Sequence, residues 1–480
     1  MIINTIPAKA IHLDNQVKGC FLGKSIGGTL GMPYEGHEGF LDLDFYNPVP
    51  KKPLPNDDLD LQIIWLRCLQ EHGLSLDNQK LGQAWLRHMD VHPDEYGVAL
   101  WNLKKGIKPP LSGLHNNYFT DGMGAAIRSE IWACLFPGQP LTAAYYAYHD
   151  ASVDHWGEGV LAEMFMAAFE SHLFISRDLR ISLDYALDLL PQTSRLRHAF
   201  EDVIACYDKG DDYQDTRQMI RSRWGSHNFT DCVMNLSFVI IGLLYGEGHF
   251  GRTLLCAVNC GEDADCTGAT AGGIMGILLG DTGIPERWKS PVGETIVMGE
   301  YDGIVAPADV NEMTAELAQL RNEWAGSQLP EIQTPFTLPT LEDFSEKLPW
   351  KVNGQPVIFD GIHLQPGMHV KSLDTHVILE AHVRFPISGD IQAMVCSRGL
   401  FHFEFDGRKM GVKGDLANPV PSFHRIRGGR GFNLRVVADR SYPIKIALWP
   451  TVPTPDFYIS FGDMDNRHLD VHYLDVNEGE

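Results

Sequence analysis

Two glycine ladders constrain this chain more than any other feature. Gly19, Gly23, Gly27 and Gly31 recur every four residues, and so do Gly268, Gly272, Gly276 and Gly280. Residues four apart share nearly one face of an α-helix. Each glycine inside a helix costs about 1 kcal/mol relative to alanine. A helix with four in register needs a compensating gain, and the close approach of another helix backbone supplies one. The best-attested stripes of this kind lie in membranes, but the steric argument also holds in water. Each ladder therefore predicts a helix with a second helix packed closely on its glycine face.

The remainder of residues 1–329 also reads as helical. Leu61, Ile64, Trp65, Cys68 and Leu69 follow the helical period, as do Leu161, Phe165, Ala168 and Phe169. Val233–Tyr245 is apolar nearly all round, which predicts a central helix. Near residue 330 the character changes. Prolines 330, 335, 339 and 349 mark residues 330–352 as a linker. Beyond it, alternation takes over, in Val377-Leu379-Ala381-Val383, Phe401-Phe403-Phe405, Ile444-Ile446-Leu448 and Phe457-Ile459-Phe461. That pattern predicts a small all-β, sandwich-like domain over 353–480. His376, Glu380, His382, His402 and Glu404 would share its outer face. This domain carries no readable motif, and a structural role or homo-oligomerisation is expected of it.

Composition excludes several classes of function. The chain has 480 residues, 44% apolar and 21% charged, which suits a globular protein of two or three domains. Its charge of 39 − 62 = −23 makes it a poor ligand for nucleic acid. No apolar run approaches the ~18–20 residues of a membrane helix. Neither nucleic acid nor membrane is expected as a partner. Nine cysteines, an odd number without a CxxC, and an N-terminus lacking a signal-peptide core predict a cytoplasmic, reduced protein.

Two acidic clusters carry the chemistry. The first is Asn56-Asp57-Asp58-Leu59-Asp60, followed at once by an apolar helix. Asn56 suits an N-cap, and first-turn acids suit the helix dipole. The second is Asp263-Ala264-Asp265-Cys266-Thr267, which opens the second glycine ladder. Asp263 and Asp265 would point to opposite sides of a continuous helix, so they converge only if the chain turns there. Two independent helix starts that never meet is one reading. The other is a joint site of four carboxylates with neutral oxygens from Asn56 and Thr267. Hard oxygen donors select Mg²⁺, Mn²⁺ or Ca²⁺ over zinc.

At this point the chain resembles the ADP-ribosylglycohydrolase family, which includes the dinitrogenase reductase-activating glycohydrolase and the ADP-ribosyl-arginine and ADP-ribosyl-serine hydrolases. The family's opening G-x-x-x-G-D-x-x-G-x-P-x-E is similar to the run from Gly23 through Gly27, Gly28, Gly31 and Pro33 to Glu35. Its T-D-D motif matches Asn56-Asp57-Asp58, and its glycine-rich loop matches Asp121-Gly122-Met123-Gly124 through Arg128. A further segment matches Ala151-Ser152-Val153-Asp154-His155 with Glu158-Gly159, and the late G-G-D-T-D-T matches Gly261-Glu262-Asp263-Ala264-Asp265-Cys266. These motifs run in family order over roughly residues 15–290.

The resemblance implies a mainly α protein, with an all-α catalytic domain around two Mg²⁺ ions, Mn²⁺ being an alternative. It implies metal ligands among Asn56, Asp57, Asp58, Asp263, Asp265, Cys266 and Thr267. Glu35, Asp58 and Asp263 are the expected catalytic residues, with Glu35 or Asp58 taking a proton from water. Glu35, Gly122, Met123, Gly124 and His155 are expected at the substrate. Arg128 is expected to pair with a local acid. Gly28, Asn56, Asp154, Ala264 and Cys266 depart from the family pattern, and a subgroup carrying D-T-D-C shares the cysteine. The implied activity is metal-dependent hydrolysis of the bond between ADP-ribose and a protein side chain or small molecule. An N-glycosidase for another ribosylated metabolite, or an inactive ADP-ribosyl-binding protein, are the alternatives.

Overall fold

The computed structural model describes residues 13–90, 92–299, 301–342, 347–360, 377–397, 400–413, 420–425, 431–449 and 457–474. His376 lies outside them. The helices are α1 Leu13–Gly31, α2 Asp57–His72, α3 Asn78–His88, α4 Asp94–Lys104, α5 Leu111–Leu114, α6 Glu130–Leu135, α7 Pro140–Ala151, α8 Glu158–Ser176, α9 Leu179–Leu189, α10 Arg195–Lys209, α11 Tyr213–Trp224, α12 Cys232–Tyr245, α13 Phe250–Val258, α14 Ala264–Leu279, α15 Glu286–Lys289 and α16 Val310–Glu323. The strands are β1 Lys347–Val352, β2 Gln355–Asp360, β3 Val377–Arg384, β4 Gly389–Ser397, β5 Leu400–Phe405, β6 Arg408–Lys413, β7 Phe432–Val436, β8 Ser441–Trp449, β9 Phe457–Gly462 and β10 His472–Leu474.

Two compact units result. One comprises Met1–Asp90, Lys108–Pro110 and Phe119–Thr340, and the other Val91–Ile107, Leu111–Tyr118 and Leu341–Glu480. The expected boundaries at 329 and 353 therefore move. Residues 330–340 belong with the helices: Ile332 N–H donates to Leu141 O at 3.2 Å and Phe336 N–H to Leu189 O at 2.7 Å. Strand β1 lies inside the expected linker. Among the described residues it pairs with β3 at Lys351 and Val352, and Pro349 lies outside that two-residue ladder, which suits a residue without an N–H. Helices α4 and α5 join the second unit. Helical periodicity is local and does not say which core a helix will join.

In the helical unit, α1 and α14 run antiparallel with their backbones in contact. A Cβ added to Gly19 would lie 2.5 Å from Gly276 O, one on Gly23 2.1 Å from Gly272 O, and one on Gly27 1.8 Å from Gly268 O. The close partner of each ladder is the other ladder. Gly280 ends α14 at φ +70°, its N–H donating to Gly276 O at 2.8 Å, and its carbonyl carbon would lie 2.7 Å from a Cβ on Gly19. Helix α12 is buried from Cys232 to Leu244, as its all-round apolarity predicted. Contrary to expectation, α8 is long and apolar enough to span a membrane, with mean hydropathy 1.2, but 83% of that stretch is buried within the protein.

The second unit packs a seven-stranded antiparallel sheet against a three-stranded one. The first has order β2-β1-β3-β8-β5-β6, with β10 also on β3, and the second has order β7-β4-β9. Alternate residues of β3, β5 and β8 meet Ile391, Ala393, Leu434, Ile459 and Phe461 in the core. Glu380, His382, His402 and Glu404 fall on the half-buried outer face. Helix α4 is pinned to this unit by the Asp94–Arg425 ion pair and by Trp101, which stacks on His468 at 5.2 Å.

Burial, with His92 and His424 nearby, pushes the His468 imidazole down from 6.5 to about 4. A lowered histidine stabilises the fold above its unfolded value and withdraws that support as pH falls through the folded one. Thermal unfolding should therefore show a stability loss between pH 6.5 and 4 that His468→Gln reduces. Identical pH profiles for the two proteins would contradict this.

Candidate metal centre

The glycine contact decides where the acids go. Because α1 and α14 lie backbone to backbone, the end of α1 reaches the start of α14: a Cβ on Gly31 would sit 2.0 Å from Ala264 O. The chain then turns through Met32–Tyr34 to the exposed Glu35. A Cβ on Gly28 would sit 2.2 Å from Asn56 Nδ2. Gly28 and Asn56, two of the departures from the family pattern, thus occupy adjoining space. The asparagine fits where the glycine leaves room.

Donor atoms of Glu35, Asp263 and Asp265 lie within 4.8 Å of one another, as do those of Asp58, Asp265 and Cys266. Asp265 belongs to both groups. Helix starts far apart in the chain therefore meet, and the reading of independent caps is overturned. Capping still operates, since Asn56 Oδ1 accepts from Asp58 N at 2.8 Å. Asp57 is exposed beside the group, while Asp58 is fully buried. Thr267 donates its hydroxyl proton to Ala264 O at 3.1 Å, within the first turn of α14.

Electrostatics make this cluster a candidate cation site. Burial first, and then Asp263, Asp58, Glu35 and Asp57, push Asp265 well above the usual carboxylate range. Asp58 is pushed the same way by burial and by Asp57 and Asp263, against the pull of Lys24. Oδ1 and Oδ2 of Asp58 and Oδ1 of Asp265 accept no hydrogen bond among the described residues. Buried acceptors are nearly always paired, so bare carboxylate oxygens converging on one point fit a hard divalent cation. Cys266 fits less well. Burial and the neighbouring aspartates hold its thiol protonated, and a neutral soft sulfur is a weak partner for Mg²⁺.

The expected substrate residues are placed differently. Gly122, Met123 and Gly124 are buried, and Gly122 forms a β-bridge with Asp231. His155 has no exposed surface. Its Nδ1 lies 3.0 Å from Asp154 Oδ1, and a Cβ on Gly159 would come within 2.9 Å of its ring. Arg128 pairs with two acids, Asp150 at 2.9 Å and Asp154 at 2.6 Å, and its guanidinium lies over the rings of Trp65 and Trp85. Burial works to raise Asp154, but Arg128 and His155 outweigh it and keep the carboxyl below its ordinary value.

Three residues to which the sequence reading gave no role tie these parts together. Gln62 donates to Asp58 O at 2.9 Å and to Glu130 Oε2 at 2.8 Å. Asn235 accepts from Asp263 N at 3.2 Å and donates to Asp231 O at 2.9 Å. Glu262 adopts φ +62°. Its N–H donates to His37 O, its O accepts from Gly36 N, and Arg221 binds its side chain, so it clamps the turn that carries Glu35. Asn235 was visible as a polar residue inside an apolar helix, but nothing local marked its partner.

The profile of the ADP-ribosylglycohydrolase family matches residues 9–326. This chain belongs to the ADP-ribosylglycohydrolase family. It is 23% identical over 295 residues to an uncharacterized protein of Archaeoglobus fulgidus, covering 58% of this chain and 91% of that protein. It is 26% identical over 215 residues to the ADP-ribosylarginine hydrolase Tri1 of Pseudomonas putida, covering 43% of this chain and about half, 53%, of that relative. A solved structure described as an ADP-ribosylglycohydrolase-related protein complex overlaps 65% of this chain and 98% of its own, with 18% identity and a TM-score of 0.40. The family match takes in α1 to α16 and every member of the carboxylate cluster, whereas the strands lie beyond it.

Proposed function

We propose that this ADP-ribosylglycohydrolase family member hydrolyses the bond between the anomeric carbon of ADP-ribose and a protein side chain, using divalent cations held by Asp57, Asp58, Asp263 and Asp265. The observation that supports this best is the convergence of the carboxylates, with both oxygens of Asp58 and Oδ1 of Asp265 left without donors among the described residues. When bound, Mg²⁺ or Mn²⁺ would neutralise the cluster, bind sugar hydroxyls and polarise a water.

The chain's own residues divide the remaining work. Glu35 is the exposed acid at the edge of the cluster and serves as the base that takes a proton from water. Asp58 is fully buried and is a holding group. As the side chain departs, positive charge spreads over the anomeric carbon and ring oxygen, and the nearby carboxylates stabilise it. The water oxygen bonds to the anomeric carbon as the bond from that carbon to the side chain breaks, and the proton that Glu35 took from water passes to the departing atom. The Asp121–Arg128 loop, linked to Asp58 through Gln62 and to Asp263 through Asn235, sets the seat of the ribose relative to the cluster.

The name of the Pseudomonas putida relative makes the arginine linkage the first to test. Free ADP-ribose should be released from ADP-ribosyl-arginine peptide in Mg²⁺ and not in EDTA, with ADP-ribosyl-serine peptide as the comparison. No release from either, with Mg²⁺ binding intact by calorimetry, would turn the search to small ribosylated metabolites. Neither release nor Mg²⁺ binding would leave an ADP-ribosyl-binding protein.

A further inference from the structure

Lys24 stands out as a cation buried inside a glycine-laddered helix. Its side chain is 1% exposed, and removing an ammonium from water costs several kcal/mol unless it is well paired. The close packing of α1 on α14 directs it away from the ladder and toward α6. There Nζ donates to Glu130 Oε1 at 2.8 Å, and it lies 3.9 Å from Asp58 Oδ1. Glu130 is also fully buried, and its second oxygen takes Gln62 Nε2 at 2.8 Å. Gln62 in turn grips the carbonyl of Asp58 at 2.9 Å. One glutamate therefore reaches both ends of Asp58, its carboxylate through Lys24 and its backbone through Gln62. Glu130 is also the first residue of α6, just beyond the glycine-rich loop. Glu170 of α8 stands behind it, taking Ser129 Oγ at 3.2 Å.

We infer that Lys24 is a positioning residue for the metal centre: anchored by Glu130, it holds the Asp58 carboxylate aligned for a divalent cation. The inference rests on the cation-binding reading above and adds the group that organises it. A simpler role is available, in which Lys24 only neutralises Glu130. The geometry favours the first. The ammonium lies between two carboxylates, one anchored on its far oxygen by Gln62 and the other with no hydrogen-bond donor among the described residues. An opposing effect also operates, since a positive charge beside the site repels the incoming ion. We take alignment to outweigh it, because Glu130 already balances the ammonium's charge. Groups that hold metal ligands in place are typically worth about 10–100-fold in metal affinity.

The test is calorimetric titration of the full chain with MgCl₂, for wild type, Lys24→Met, and the double variant Lys24→Met with Glu130→Gln. The double variant removes the acid that Lys24→Met strands, so the protein keeps its fold even if the single variant does not. Thermal unfolding in EDTA reports stability separately. The expected result is a loss of about 10–100-fold in Mg²⁺ affinity in the double variant, with a melting temperature near that of wild type. A double variant that binds Mg²⁺ as tightly as wild type, or more tightly, overturns the positioning role and leaves Lys24 as the counter-ion of Glu130. Failure of wild type itself to bind Mg²⁺ is a different result. It removes the cation reading and this inference with it.

Discussion

Asp265→Asn should abolish metal-dependent release of ADP-ribose and, at the same time, make the protein more stable in EDTA. Asp265 is the residue common to both groups of converging donors, so its loss disrupts each. The activity loss should exceed the ~10–100-fold typical of groups that merely support metal ligands. The stability gain follows from the electrostatics. Asp265 is 6% exposed, and the neighbouring charges that act on it most are other carboxylates. Its folded value is raised above the ordinary 3.8. A raised carboxyl supports the fold below its unfolded value and loses that support as pH rises through the folded one. In EDTA, wild type should therefore weaken from about pH 4 toward neutrality, and Asp265→Asn should weaken less. Mg²⁺ should restore wild type at pH 8 and do little for the variant. Equal melting curves for the two in EDTA, with Mg²⁺ stabilising both alike, would show that Asp265 does not belong to a cation site.

Gly27→Ala should be the most damaging methyl group that can be added to the helical unit. The new Cβ would lie 1.8 Å from Gly268 O, 2.3 Å from Gly268 C and 2.9 Å from Ala269 N. All three are backbone atoms of α14 and cannot rotate away. Alanine improves helix propensity by about 1 kcal/mol, while overpacking a filled interior costs about 1–3 kcal/mol and sometimes more. Here the collision wins. The expected net loss is about 2 kcal/mol, read as a fall in melting temperature of roughly 4 °C or more. Mg²⁺ affinity should fall as well, because separating α1 from α14 carries Glu35 away from Asp263 and Asp265. A variant that melts like wild type would mean that the two helices are not in backbone contact at this rung.

Much of the architecture was legible because it is written locally. A four-residue period of glycine, an asparagine followed by acids and an apolar run, and the period-two strands of β3, β5 and β8 each declare an element within a few residues. The family motifs add a set of acids in order. Local signals say nothing of burial. Met123 and His155 stand in motif segments and so read as substrate contacts, and only the fold shows that both are buried. Prolines suggested a linker reaching to residue 352, but Pro349 lies within β1, paired with Ile358 of β2.

The amino-acid sequence by itself determined that two helices must each meet a close neighbour, that acids sit at two helix starts, and that a β domain follows a helical one. These follow from spacing, propensity and composition, which need no knowledge of distant contacts. Only the tertiary structure decided that the two ladders face each other, that Asp58 on one side and Glu35 with Asp263 on the other both converge on Asp265, and that Lys24, Glu130, Gln62 and Asn235 brace these acids. The physical reason is that a bare glycine backbone is complementary to any other bare backbone. Its partner is selected by the packing of the whole unit, and the chemistry of the site follows from that selection.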